Sequence, residues 1–181
     1  MNQIVHSMWI EPWPDLTAQT PDSGKARALF SIYAGRRSVL TAAAQDFCSS
    51  LCCAEQPACA ELFAYAAQCE LIHLKKLGQL IWAYGGIPKL VSFSGGRAQP
   101  WTAGTLSYPL DSTQMLTQAA ALAGDIAAHA QHLAPQMDDV PQQILLRIKE
   151  NEQTLAEGFL KEIGDKHQLE VRSLQKIGDR R

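Results

Sequence analysis

The stretch that decides the fold runs from Phe63 to Pro88 and reads FAYAAQCELIHLKKLGQLIWAYGGIP. Pro57, six residues upstream, sits where a first helical turn tolerates proline, so the spacing predicts one long helix from Pro57 to about Tyr84. Gly85, Gly86 and Pro88 stop it, glycine supplying a left-handed cap and proline blocking continuation. Midway lies Glu70-Leu71-Ile72-His73. An i, i+3 spacing puts the carboxylate and the imidazole on one helix face, and the apolar residues around them point that face inward. A Glu and a His three apart are common by chance, so this pair needs partners elsewhere in the chain to mean anything.

Working outward, punctuation yields three further helices. Asp22 or Ser23 caps a first helix running to about Cys53, with Leu29, Ile32, Tyr33, Leu40 and Phe47 as its apolar stripe. Ser112 caps a third that reaches Leu133, where Pro135 closes it, and Asp139 with Pro141 opens a fourth to about Ile163, before Gly164. Residues 1–22 read as an extended N-terminal arm, and residues 165–181 as a charged C-terminal tail with at most a short surface helix. Short links make the first and second helices, and the third and fourth, antiparallel neighbours. The segment from Ile87 to Leu110, rich in Gly, Pro and Ser, is a long crossover with Trp101 and Tyr108 as its anchors. The expected architecture is all-α: one domain over residues 1–181, a four-helix bundle with a long crossover between helices 2 and 3.

Composition agrees. With 181 residues, 46% of them hydrophobic, and few β-branched runs of strand length, the chain suits one helical core. A formal charge of −2 with interspersed signs leaves no basic stripe, which argues against nucleic acid as partner. No uncharged run approaches the ~18 residues that span a bilayer, and the N-terminus lacks a signal-peptide pattern. Membrane insertion is therefore not expected, and the default location is cytoplasmic. Cys48, Cys52, Cys53, Cys59 and Cys69 crowd one stretch without CxxC pairs. They read as reduced thiols packed like small hydrophobes, with a thiol or zinc site as the alternative.

Phe63–Pro88, together with Tyr33-Ala34-Gly35 leading into Ser38, Leu40 and Thr41, Trp101-Thr102-Ala103-Gly104 with Tyr108, Met115-Leu116, and Arg147-Ile148 with Glu152, resembles the rubrerythrin and manganese-catalase branch of ferritin-like proteins, in particular its spore-coat type. The likeness covers roughly residues 30–163 in order. It implies a ferritin-like bundle, and in such bundles a Glu-x-x-His from each of two helices and a Glu from each of the other two hold two metal ions. The resemblance also shows what is missing. The first-helix Glu would stand at Val39, the third-helix Glu near Leu122 or Ala123, and the fourth-helix motif reads Glu152-Gln153-Thr154-Leu155. Glu70, His73 and Glu152 survive.

Two carboxylates balance one divalent ion, not two, because buried charge must be compensated. The expectation is a degenerate site holding either no metal or a single iron, manganese or zinc ion at Glu70, His73 and Glu152. Without metal, the carboxylates share a proton or pair with protonated His73. Asp125, His129 and His132 follow an i, i+4, i+7 row on the third helix and are read as surface residues, with substitute ligation as the alternative. His6 and His167 carry no evident chemistry. The reading that follows is a non-catalytic structural or interaction module, expected to form a homodimer. Its alternatives are a residual mononuclear iron or manganese redox protein acting on peroxide or oxygen, and a small-molecule binder in the emptied centre.

Overall fold

Asp22 opens the first helix by accepting hydrogen bonds from the backbone N–H groups of Gly24 and Lys25, which a helix start leaves without partners. In the computed structural model, which describes residues 12–17 and 19–178, this helix (α1, Ser23–Ala34) does not continue to Cys53. Gly35 to Ser38 are non-helical, and α2 spans Val39–Cys52 with Ser38 as its N-cap. A Cβ at position 35 would stand 2.4 Å from the Ser31 carbonyl oxygen, so the exit from α1 requires glycine. The four-residue break turns the register. A continuous helix would bury Leu40 and Phe47; α2 instead buries Val39, Ala42, Ala43, Asp46 and Ser49, leaving Leu40 half-buried and Phe47 59% exposed.

The second long helix, α3 (Pro57–Ala83), matches its expected span. Gly85 follows it with a φ of 83°, the left-handed conformation its glycine allows. The crossover then departs from expectation. It carries a hairpin, β1 (Val91–Ser94) and β2 (Arg97–Pro100), with Ser94 paired to Arg97 across Gly95 and Gly96. Both glycines have positive φ, 54° and 83°, which is the chemistry of a two-residue type I′ turn. Phe93 of β1 meets Phe30 of α1 edge to face at 5.2 Å.

Trp101 anchors the crossover as expected: its Nε1 donates to the Thr41 hydroxyl at 3.0 Å, and that hydroxyl donates onward to the Gly35 carbonyl at 3.1 Å. The α1–α2 break and the crossover are thus latched together. Tyr108 does not anchor; it is exposed. Gln45 of α2 takes that role through its amide, which donates to the Ser107 carbonyl (2.6 Å) and accepts from the Ser107 N–H (2.8 Å).

Helix α4 spans Ser112–Leu133, capped by Asp111 through the Gln114 N–H rather than by Ser112. Helix α5 spans Asp139–Gly178 and does not stop at Gly164, so the expected tail up to Gly178 is its continuation. At ~1.5 Å per residue, these 40 residues extend ~60 Å, well past the 27 residues of α3. Helix α2 packs on α3 and α4 packs on α5, while α1 covers part of α3. Lys25 of α1 and Tyr84 after α3 both bond Asp138 at 2.8 Å, tying one end of the bundle together.

Two apolar clusters fill the core. One holds Leu29, Ile32, Val39, Leu77, Ile81, Ile126, Leu145 and Ile148; the other holds Phe63, Ala66, Leu116, Ala123, Leu155 and Phe159. Along α3 and α5 a polar layer separates them, with Glu70 and His73 on one helix and Asn151 and Glu152 on the other, all buried. No helix among the described residues is long and apolar enough to cross a membrane.

Candidate metal centre

Glu70 and His73 come from the middle of α3, one turn apart on its inward face, and Glu152 comes from the facing stretch of α5. Each is at most 1% exposed. One ligand atom from each lies within 4.8 Å of the others, the only such group of three or more His, Cys, Asp or Glu side chains among the described residues. His73 Nδ1 donates to Glu152 Oε1 at 2.9 Å and stands 3.7 Å from Glu70 Oε2. Asn151 Nδ2 lies 3.1 Å from His73 Nε2. An amide can serve the ring in either state, donating to a bare Nε2 or, once flipped, accepting from Nε2–H. Two buried oxygens, Glu70 Oε2 and Glu152 Oε2, have no hydrogen-bond donor.

Burial, reinforced by the charge of Glu152, pushes the Glu70 carboxyl up to about 8. For His73, burial pulls downward but is outweighed by hydrogen bonds and charge from Glu152 and Glu70, which hold the imidazole at about 9. At neutral pH the metal-free centre therefore keeps its charges matched with protons, one on Glu70 and one extra on His73. A cation entering between the carboxylates and Nδ1 would displace those protons. The orphaned oxygens fit such a cation, and the set of two carboxylates and one imidazole suits iron, manganese or zinc.

The remaining expected positions sort cleanly. Val39 and Leu155 are buried, the first in one apolar cluster and the second in the other, and Ala123 is buried while Leu122 is half-buried. None supplies a ligand atom. Asp125 is exposed and pairs with Arg37; His129 bonds the Ser31 hydroxyl at 3.1 Å; His132 and His167 are exposed. That row stays away from the centre, and His6 lies outside the described residues.

Three neighbours of the centre escaped the sequence reading. Asp46 on α2 is buried, and burial followed by the charge of Glu70 raises its carboxyl well above the usual range. Asn151 orients His73. Trp13, in the N-terminal arm, meets the His73 ring edge-on at 6.0 Å and carries the Arg147 guanidinium on its own face at 4.4 Å. Arg147 also donates to the Pro12 carbonyl at 2.8 Å, so the arm is fastened over the histidine. The sequence signal for Asp46 was a lone carboxylate inside an apolar helical run; for Trp13 there was none.

No family model matches the chain, and no curated protein matches it. Solved structures do. Two crystal structures of KatB, a manganese catalase from Anabaena, superpose with a TM-score of 0.77 at 20% identity, over 87% of this chain and 79% of theirs. The chain has the all-α, ferritin-like fold of that manganese catalase.

Proposed function

We propose that this chain is a ferritin-like protein whose centre binds one divalent iron, manganese or zinc ion through Glu70, His73 and Glu152, and that it does not perform two-metal catalysis. The pair of buried oxygens Glu70 Oε2 and Glu152 Oε2 carries this reading: no other side chain or backbone group donates to them, so only a proton held on the carboxyls or a cation between them offsets their burial. Bound there, an ion would polarise water or a small oxygen ligand as a Lewis acid. The protein's own part is to hold the ligands, with Asn151 fixing the imidazole and Trp13 shielding it. A second ion has no support from the positions expected to ligate it, since Val39, Leu155 and Ala123 are buried apolar side chains.

A metal-free module is the second reading. Its specific support is that both His73 ring nitrogens already have partners, so a shared proton between the carboxyls leaves the layer self-consistent. Metal analysis of protein purified without chelator decides between them. About one iron, manganese or zinc per chain, lost in Glu70→Gln, supports the single-ion site, and a blank that persists after loading supports the module. Robust peroxide disproportionation by the manganese-loaded chain would refute the absence of two-metal catalysis.

A further inference from the structure

Away from the carboxylate layer, at the end of the bundle where α2 finishes and α3 and α4 begin, three sulfur atoms meet. Cys59 Sγ lies 3.1 Å from Cys53 Sγ, and Cys53 Sγ lies 3.6 Å from Met115 Sδ. They come from the C-cap of α2, the first turn of α3 and the first turn of α4, and all three side chains are buried. We propose that Cys53, Cys59 and Met115 form a three-sulfur site for a single copper(I) ion. Two thiolates and a thioether are soft ligands that select a soft cation.

Two observations separate this from ordinary packing and from a disulfide. Met115 offers a sulfur lone pair, which serves a cation and contributes nothing to a bond between the two cysteines. Lys166 of α5 places its ammonium here, bonded to the side chains of Gln56 and Ser112; burial and the neighbouring Cys53 push the Cys59 thiol up to about 12, and the Lys166 charge opposes that rise. The balance then closes: one Cu(I) replaces two thiol protons, the resulting complex carries one negative charge, and Lys166 compensates it, with no change in oxidation state. Zinc fits poorly, because it wants four ligands and no third His, Cys, Asp or Glu joins the cysteine pair among the described residues. A metal at the ~2.3 Å typical of thiolate bonds opens the sulfur pair to about 4 Å, a shift within side-chain rotation.

The test is an anaerobic titration of the reduced full-length chain with Cu(I) against the chromogenic chelator bicinchoninate. The parent should retain one ion per chain, and Cys48→Ser with Cys52→Ser should retain it equally. Met115→Leu, which preserves volume, should weaken retention about 10-fold, and Cys53→Ser with Cys59→Ser by at least about 100-fold. Copper that follows Cys48 and Cys52 overturns the proposal. So does a Met115→Leu chain that binds like the parent, or a Cys53–Cys59 pair isolated as a disulfide that retains no copper once reduced.

Discussion

Four residues along α5 separate two opposite solutions to the same problem. Asn151 and Glu152 are buried with polar partners in a layer that crosses the bundle, while Leu155, one turn on, is buried in an apolar cluster with Phe63 and Phe159 nearby. The polar layer tolerates charge because His73, Asn151 and exchangeable protons compensate it. The apolar layers have nothing to offer a charge. The bundle therefore confines ionic chemistry to one cross-section, and the apolar residues at the other expected ligand positions reinforce that confinement.

The sharpest way to break this contrast is to place one carboxylate in each layer. Leu155→Asp should cost the metal-free protein about 3–5 kcal/mol, from lost burial plus an unpaired charge, unless the new group stays protonated. Asn151→Asp, beside His73 Nε2, should cost far less, because it meets an imidazole held protonated. Thermal or urea melts at neutral pH in chelator measure both. Equal losses would remove the distinction between the layers.

Next in size is the response of the metal-free protein to pH. The folded pKa of Glu70, about 8, lies above its ordinary 4.5, and that of His73, about 9, above its ordinary 6.5. In both cases the folded state binds the proton more tightly. Their contribution is fully present below the unfolded values and is lost as pH rises, through about 8 for Glu70 and about 9 for His73. Stability should thus fall between pH 5 and 9, by several kcal/mol in all. Glu70→Gln should flatten the lower part of that slope. A profile that rises over this range would contradict the protonated layer.

Smaller again is the effect on binding. Glu70→Gln should weaken affinity for a divalent ion by about 100-fold, near 2.7 kcal/mol, while leaving the metal-free fold at least as stable at pH 8. Isothermal titration at two pH values checks this and a linked expectation. Because the ion displaces protons from Glu70 and His73, the parent's affinity should rise with pH up to about 9.

How much of this was legible depended on whether a helix ran unbroken. Helix α3 is continuous from Pro57, so the inward phase of Glu70 and His73 followed directly from spacing, and Glu152 joined them through the resemblance. The last helix hid its length, because Gly164 sits in open space where a glycine lowers helix propensity by only about 1 kcal/mol and continuation wins. The hairpin hid inside a Gly-, Pro- and Ser-rich segment read only as a crossover, although adjacent glycines such as Gly95-Gly96 between short strands are a turn signal in their own right. The N-terminal arm's grip on His73 depends on cation–π and edge contacts between distant segments, which no local pattern encodes.

The first helix is the instructive failure, and it gives the smallest expected effect. Extending the α1 phase from Leu29 by 3.6 residues per turn puts Phe47 in the core and Asp46 outside it. The break at Gly35–Ser38 rotates α2 by about one residue, roughly 100°, so Asp46 enters the polar layer and Phe47 leaves the core. Phe47→Ser should then change stability by no more than about 0.5 kcal/mol, as for an ordinary surface position, whereas a core phenylalanine such as Phe63 should cost about 3–5 kcal/mol when replaced by alanine. Helical content should stay the same in the Phe47 variant. A loss of several kcal/mol in its melt would restore the continuous helix. It would also expel Asp46 from the neighbourhood of Glu70.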